Sequence, residues 1–310
     1  MATINTAWDQ VSSNTFKTWA IMFFFSLFTV GIVYILGRGF GYGQTGGLGL
    51  VGMALIIAGI MNFISYYYSD KIVLGISGAK EIKKQDNPEV FRTVENLCIA
   101  AGLPLPRIYI LEDSATNAFA TGRDPKHAAI CFTSGILQKL NKQELEGVTA
   151  HELSHVGNRD TLLMSVVSIL VGTIALLTDW FLRSMFFGGG RARDDDSKSG
   201  TIFMVLALVA AILAPIVAML IQLSISRRRE LLADASGVLL TRYPQGLENA
   251  LLKISKDTEP LEAANRGTAH LYIVNPLKGS SAAGFMVGLF NTHPPIEVRI
   301  KALREMEGKV

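Results

Sequence analysis

Among 310 residues holding five histidines, the run His151-Glu152-Leu153-Ser154-His155 sets two imidazoles four residues apart. On a helix that is about one turn, so both leave the same face. Zinc takes neutral imidazole nitrogens in a near-tetrahedral cage, and a catalytic zinc keeps one position open for water. A carboxylate beside that water can take its proton, which makes Glu152 the candidate general base. The plainer reading is a helix whose histidines cap a surface. It weakens if a third, acidic ligand exists, and Glu230 with Asp234 supplies one. These two stand four apart within Arg227-Arg228-Arg229-Glu230-Leu231-Leu232-Ala233-Asp234-Ala235 and share a helical face. A carboxylate on the metal and a second orienting a ligating imidazole would use that spacing. A basic cluster at a membrane edge with compensating acids accounts for the arginines, but not for an acidic pair facing back into an alanine-rich helix.

Several elements must position these groups. Asn141 precedes Lys142-Gln143-Glu144 as a capping box, and Leu145, Val148, Leu153 and Val156 recur at helical spacing, so the histidines lie on a capped helix. Glu89 to Ala101 reads as an amphipathic helix ended by Gly102. Arg107 to Leu111, Asn117 to Thr121 and Ala128 to Phe132 read as short strands, and Ile296 to Met306 as a late amphipathic helix. The expected fold class is α+β, with a small sheet beside the metal helix. Cys98 and Cys131 sit in apolar settings and read as reduced core residues.

Composition adds a membrane. Hydrophobic residues make up 49% and charged residues 18% of the chain, and mean hydropathy is +0.33, which is apolar for a soluble domain. Four segments of about the length that crosses a hydrocarbon core carry the excess: 18–36, 47–67, 162–182 and 202–223. Asp179 is the single acidic residue within them, near the end of the third, and Pro215 should kink the fourth. The first segment is longer than a signal-peptide core and has no small-residue cleavage site after it, so it is expected to stay attached. The expected organisation is two N-terminal spans (1–68), a first half-domain with the metal helix (69–160), a transmembrane hairpin (161–223) and a second half-domain (224–310). Lys17, Lys71, Lys80, Lys83, Lys84, Lys142, Arg159 and Arg227 to Arg229 fall on one side of these spans and Arg38, Arg183, Arg191, Arg193 and Lys198 on the other, a majority that by the positive-inside rule puts the histidines in the cytoplasm. Gly41-Tyr42-Gly43-Gln44-Thr45-Gly46 matches G-x-G-x-x-G but lies between two spans rather than after a strand, so no nucleotide site is expected. Scattered basic residues argue against nucleic acid.

The motifs together resemble the HtpX-type membrane zinc metalloproteases, relatives of the CAAX prenyl proteases. Asn117-Ala118-Phe119-Ala120-Thr121-Gly122 is similar to that family's substrate-side strand, His151 to His155 to its zinc helix, Arg228 to Ala235 to its glutamate helix, and Thr292-His293-Pro294-Pro295 to a late motif. The resemblance implies a gluzincin-type domain, mainly helical with a small sheet, fused to about four transmembrane helices. It implies one zinc per chain on His151, His155 and Glu230, Glu152 activating water, and Asp234 supporting a ligand. Asn117 and Ala118 would hold substrate backbone as an added strand. His293 would stabilise an oxyanion or would merely begin the turn before Ile296. Misfolded or damaged membrane proteins and unfolded proteins are the implied substrates, cut at the cytoplasmic face of the cell membrane. A prenyl-protein processing protease and a non-catalytic metal-binding scaffold are the competing readings. The apolar run from Gly284 to Phe290 fits a lid, a core segment or a membrane-touching loop equally well.

Overall fold

Capping and apolar periodicity account for most of the helices in this computed structural model, which describes residues 7–39, 44–170, 229–263, 268, 271–274 and 294–308. Two long helices, α1 (Ala7–Gly39) and α2 (Gln44–Ser77), form an antiparallel hairpin. Asn62 Nδ2 donates to the Met22 carbonyl at 3.1 Å and to Ser26 Oγ at 2.8 Å, and Trp19 stacks on Tyr66 with ring centroids 5.7 Å apart. The outer face of the hairpin is apolar and uncovered: Phe16 is 74% exposed, Phe23 65% and Ile56 65%. Taken over the described residues, no helix is long and apolar enough to cross a membrane. The four expected spans are therefore not established, and the third and fourth lie largely at 171–228, outside the described residues.

After α2 the chain enters β1 (Lys80–Glu81) and then α3 (Pro88–Ala101). The Asn87 side chain accepts from the Val90 N–H, proline occupies the first turn, and Gly102 closes the helix with φ 65°. The expected strand Arg107–Leu111 forms as β2, the second begins one residue later than expected as β3 (Ala118–Thr121), and the third is shifted by one residue as β4 (Ala129–Thr133). Sheet order is β1-β2-β4-β3, with β2 and β4 parallel and the outer pairs antiparallel. Both central faces are buried, because side chains alternate between two layers. Ile108, Ala118, Ala120, Ile130 and Phe132 join the main core. Leu111, Phe119, Ala129 and Cys131 face a second cluster with Val73 and Leu74 of α2.

A short helix, α4 (Ser134–Lys139), leads into α5 (Lys142–Gly157). The expected capping box is present: Asn141 Oδ1 accepts from Glu144 N at 3.0 Å, and Glu144 Oε2 accepts from Asn141 N at 2.8 Å. Arg159, with φ 57°, sits in the left-handed region that side chains rarely adopt and separates α5 from the helical residues 160–170 (α6). Residues 229–241 form α7, followed by α8 (Pro244–Lys256), which the periodicity reading did not anticipate, and α9 (Ile296–Met306), which it did. The main core draws Val148, Ala150, Leu153 and Val156 of α5 together with Val238, Leu247, Leu251, Ile254 and Leu303 from the far end of the chain. At roughly 1.5–3 kcal/mol for each large apolar side chain fully buried, this shared core joins the two halves and brings α7 against α5. Both cysteines are free and buried, as expected.

Candidate metal centre

His151 and His155 leave one face of α5 and meet Glu230 at the start of α7, all three essentially buried. The imidazoles stand nearly perpendicular, at 88°, with their Nε2 atoms 3.2 Å apart. Glu230 Oε2 lies 3.6 Å from His151 Nε2, and its Oε1 lies 3.4 Å from His155 Nε2. A tetrahedral ion with bonds of about 2.0–2.2 Å holds its ligand atoms about 3.3–3.6 Å apart, so these separations match the edges of a zinc tetrahedron.

The outer ring nitrogens sharpen the match. His151 Nδ1 lies 2.9 Å from Asp234 Oδ1, and His155 Nδ1 lies 3.1 Å from Asp160 Oδ2. An ionised carboxylate only accepts, so each Nδ1 carries the proton and each neutral ring turns a lone pair at Nε2 toward the other. Two lone pairs at 3.2 Å repel unless a proton or a cation lies between them. Charge points the same way. Glu152, Asp160, Glu230 and Asp234 surround the histidines, opposed by the guanidiniums of Arg229 and Arg299. With both imidazoles neutral, as metal ligation requires, two negative charges are left over, the complement of one divalent ion. The donor set of two imidazoles and a carboxylate suits zinc, and three protein ligands leave a fourth position open.

Arg299, 1% exposed, fixes the glutamate helix. Its Nε donates to Asp234 Oδ2 at 2.8 Å and its Nη2 to Asp234 Oδ1 at 2.6 Å, a two-pronged grip, while Nη1 donates to the Ile273 carbonyl at 2.9 Å and lies 3.5 Å from Glu230 Oε2. Nη2 also lies 3.4 Å from His151 Nδ1. Both atoms are donors there, so Asp234 is the group that orients the ring. Burial alone would raise the Asp234 carboxyl, but the adjacent Arg299 guanidinium and then His151 hold it below the usual carboxylate range.

Asp160 is anchored from another direction. Its Oδ1 accepts from Asn14 Nδ2 of α1 at 2.7 Å and from Arg229 Nη1 at 3.3 Å, and Asn14 also donates to the Asn158 carbonyl at 2.9 Å. Burial opposes a charge on His155, yet the Asp160 and Glu230 carboxylates outweigh it and push its pKa up to about 10. His151 is raised as well: burial lowers it, and hydrogen bonds to Asp234 and Glu230 prevail. Glu152 is raised by burial, with the neighbouring histidines pulling the other way. Close approach of the helices depends on Gly237, where an added Cβ would stand 3.0 Å from His151 N and 3.2 Å from Ala150 C.

Of the residues singled out from sequence, His151, Glu152, His155, Glu230 and Asp234 are thus brought to one buried cluster. Asn117 and Ala118 lie at the outer edge of β3, where the chain itself is already paired. Ile273 N donates to the Ala118 carbonyl at 3.0 Å, and Phe119 bridges Tyr272. Asn117 Nδ2 donates to the Val274 carbonyl at 2.9 Å, and its Oδ1 accepts from Ala118 N at 3.1 Å. His293 and the run 284–290 lie outside the described residues. His127 is bound to Asp124 at 2.8 Å on the surface, away from the metal cluster. Sequence reasoning missed Asn14, Asp160 and Arg299. Only Arg299 left a local signal, a cation on the apolar face of α9 in line with Ile296 and Leu303.

Comparison with known proteins decides the family. Residues 84–307 match peptidase family M48. A protein named Protease HtpX homolog from Dictyoglomus thermophilum is 44% identical over 301 residues, covering 97% of this chain and 95% of that one. The chain belongs to peptidase family M48. A second M48 relative of the same name, from Pyrococcus furiosus, is 44% identical over 292 residues, 94% of this chain and 95% of that one. The crystal structure of S. mikatae Ste24p is similar with a TM-score of 0.47 and 22% identity, covering 93% of this chain and 66% of that one. The M48 match takes in β2 to β4 and every residue of the metal cluster, whereas α1, with Asn14, precedes it.

Proposed function

We propose that this M48 chain is a membrane-bound, zinc-dependent endopeptidase that cuts misfolded or damaged membrane proteins, and unfolded proteins, at the cytoplasmic face. The observation that carries the reading is the pair of Nε2 atoms held 3.2 Å apart beside a third, acidic group. Zinc bound by His151, His155 and Glu230 would polarise the scissile carbonyl and acidify a water molecule. Glu152 stands next in sequence to a ligand, buried and, among the described residues, without a hydrogen-bond partner. Its raised pKa brings proton uptake closer to neutral pH. In this proposal it takes the proton from water and passes one to the leaving amine. Asp234 and Asp160 keep each imidazole in the tautomer that offers Nε2.

A structural zinc site closes its fourth position and has no use for an unengaged carboxylate there, which favours turnover over a scaffold. The membrane reading rests on four apolar segments in the sequence and on the uncovered apolar face of α1 and α2. The cytoplasmic side rests on the distribution of Lys and Arg. An extended substrate would be held beside β3 by Asn117 and Ala118, taking over the outward hydrogen bonds that residues 271–274 now fill.

The test compares cleavage of an unfolded model protein by detergent-purified, zinc-loaded wild type and Glu152→Gln, with bound zinc assayed in both. Loss of at least a thousandfold in kcat with zinc retained is expected. Equal cleavage by the two proteins would eliminate Glu152 as the base, and tight zinc with no cleavage by either would favour the scaffold.

A further inference from the structure

Away from the metal, a cavity of about 520 Å³ lies where the C-terminal third of α2 meets the base of the sheet. Its lining combines two chemistries. Four basic side chains, Lys71, Arg107, Arg123 and Lys126, contribute to it. The carboxylates near them are two, Asp70, paired with Arg107 at 2.5 Å, and Asp124, shared between Arg123 at 3.5 Å and His127. Lys126 is exposed and has no ion pair among the described residues. Cation therefore exceeds anion inside one concavity, four basic side chains against two carboxylates. The rest of the lining is aromatic and apolar: Phe63, Tyr67 and Tyr68 of α2, with Leu105 opposite. Arg123 is held 5.4 Å over the Tyr67 ring and Lys71 5.5 Å over Tyr68, and these ring contacts orient the two cations without adding a negative charge.

The order of residues along α2 says what kind of anion belongs there. Leu55, Ile56, Ile57 and Ile60 are exposed aliphatics, Phe63, Tyr67 and Tyr68 are exposed aromatics, and Asp70 and Lys71 follow. That is the succession of hydrocarbon, aromatic belt and headgroup level found at a bilayer surface. A ligand seated in the cavity would have its anionic end against the arginines and its apolar end along the aliphatic face of the same helix.

We propose that this cavity binds the phosphodiester headgroup of an anionic phospholipid, whose acyl chains run along α2 past Phe63 and Ile60. The site rests on the membrane reading above but is separate from the metal cluster. Bound lipid would fix the depth and tilt of the peptidase domain against the membrane, because Arg107 begins β2 and Arg123 follows β3 while the aromatics belong to α2.

Full-length protein would be reconstituted with vesicles of phosphatidylcholine, alone or with one fifth phosphatidylglycerol. Flotation is scored first, and lipid retained through native mass spectrometry second, for wild type, Arg123→Gln/Lys126→Gln and Lys126→Glu, each checked for a wild-type melting temperature. Wild type should retain phosphatidylglycerol in preference to phosphatidylcholine. The double variant should float equally well but bind phosphatidylglycerol roughly thirtyfold more weakly, about a factor of five for each basic residue lost beside an anionic headgroup. Inorganic phosphate at ten millimolar should not displace the lipid. Flotation with no preference for phosphatidylglycerol, or a preference unchanged in both variants, would overturn the lipid site alone. Displacement by inorganic phosphate would reassign the cavity to a free anion. Failure of wild type to float would remove the membrane reading and the lipid with it, leaving the metal chemistry untouched.

Discussion

Replacing Asp160 with asparagine tests the tautomer argument at its most exposed point. Asp160 Oδ2 receives His155 Nδ1 at 3.1 Å, while Oδ1 receives Asn14 at 2.7 Å and Arg229 at 3.3 Å. Asparagine keeps the shape but turns one acceptor into a donor. Placed toward Asn14 and Arg229, its NH2 meets two donors. Flipped toward His155, it drives the ring to the tautomer protonated at Nε2, which cannot ligate a metal. Either arrangement weakens the centre, and lost partners of this kind typically cost ten- to a hundredfold in metal affinity. That is about 1.4–2.7 kcal/mol, with a further loss of about 1–3 kcal/mol in fold stability from the mismatched buried donors. The assay is competition for zinc against a chromophoric chelator, using full-length protein in detergent at fixed pH, with thermal melting alongside. A zinc Kd within threefold of wild type in a folded variant would refute the claim that Asp160 sets the His155 tautomer.

Three further outcomes follow from the same geometry. Gly237→Ala should separate α7 from α5 by a few tenths of an ångström, destabilise the chain by about 1–3 kcal/mol and weaken zinc through Glu230; an unchanged melting temperature would contradict the close approach seen at His151. Without metal, His151 and His155 are raised, His155 to about 10, so their protonation stabilises the metal-free fold below the unfolded value near 6.5 and that contribution fades as pH climbs toward 10. Zinc must displace those protons, so its affinity should rise with pH by up to tenfold per unit for each proton released; melting scans with and without chelator from pH 6 to 9 should show the two curves diverging, and parallel curves would count against the scheme. Asn117→Ala loses the bond to Val274 beside β3, so it should raise KM at least tenfold with zinc retained, whereas Phe119→Pro should unfold the sheet edge; equal KM for Asn117→Ala and wild type would move the substrate elsewhere.

Legibility followed sequence distance. The capping box at Asn141, the two histidines on one face of α5 and the acidic pair on α7 are all fixed by helical periodicity within a few residues, and the structure places them as that periodicity requires. Asp160 lies five residues past His155, off that face by regular spacing, and reaches it only because Arg159 breaks the helix at positive φ. Arg299 and Asn14 come from elements 148 and 141 residues away from His151 and His155, and no local pattern encodes such a meeting. The same limit applies to β3. Its alternation was readable, but the return of residues 271–274 along its edge was not, so Asn117 and Ala118 read as open when their outward groups are engaged. β1 was missed because Lys80 and Glu81 are two polar residues with no apolar face to betray a strand.

The two hydrogen bonds from Asn14 give the first helix a say in the chemistry. Because its amide holds Asp160, and Asp160 holds His155, the metal site is complete only when α1 has docked against the turn at Asn158. A variant lacking residues 1–43 is therefore expected to bind zinc more weakly than the whole, since Asp160 would lose the amide that holds it. If the proposed hydrolysis is carried out at this centre, it would wait on assembly, because the groups that set the His155 tautomer come together only when α1 has docked.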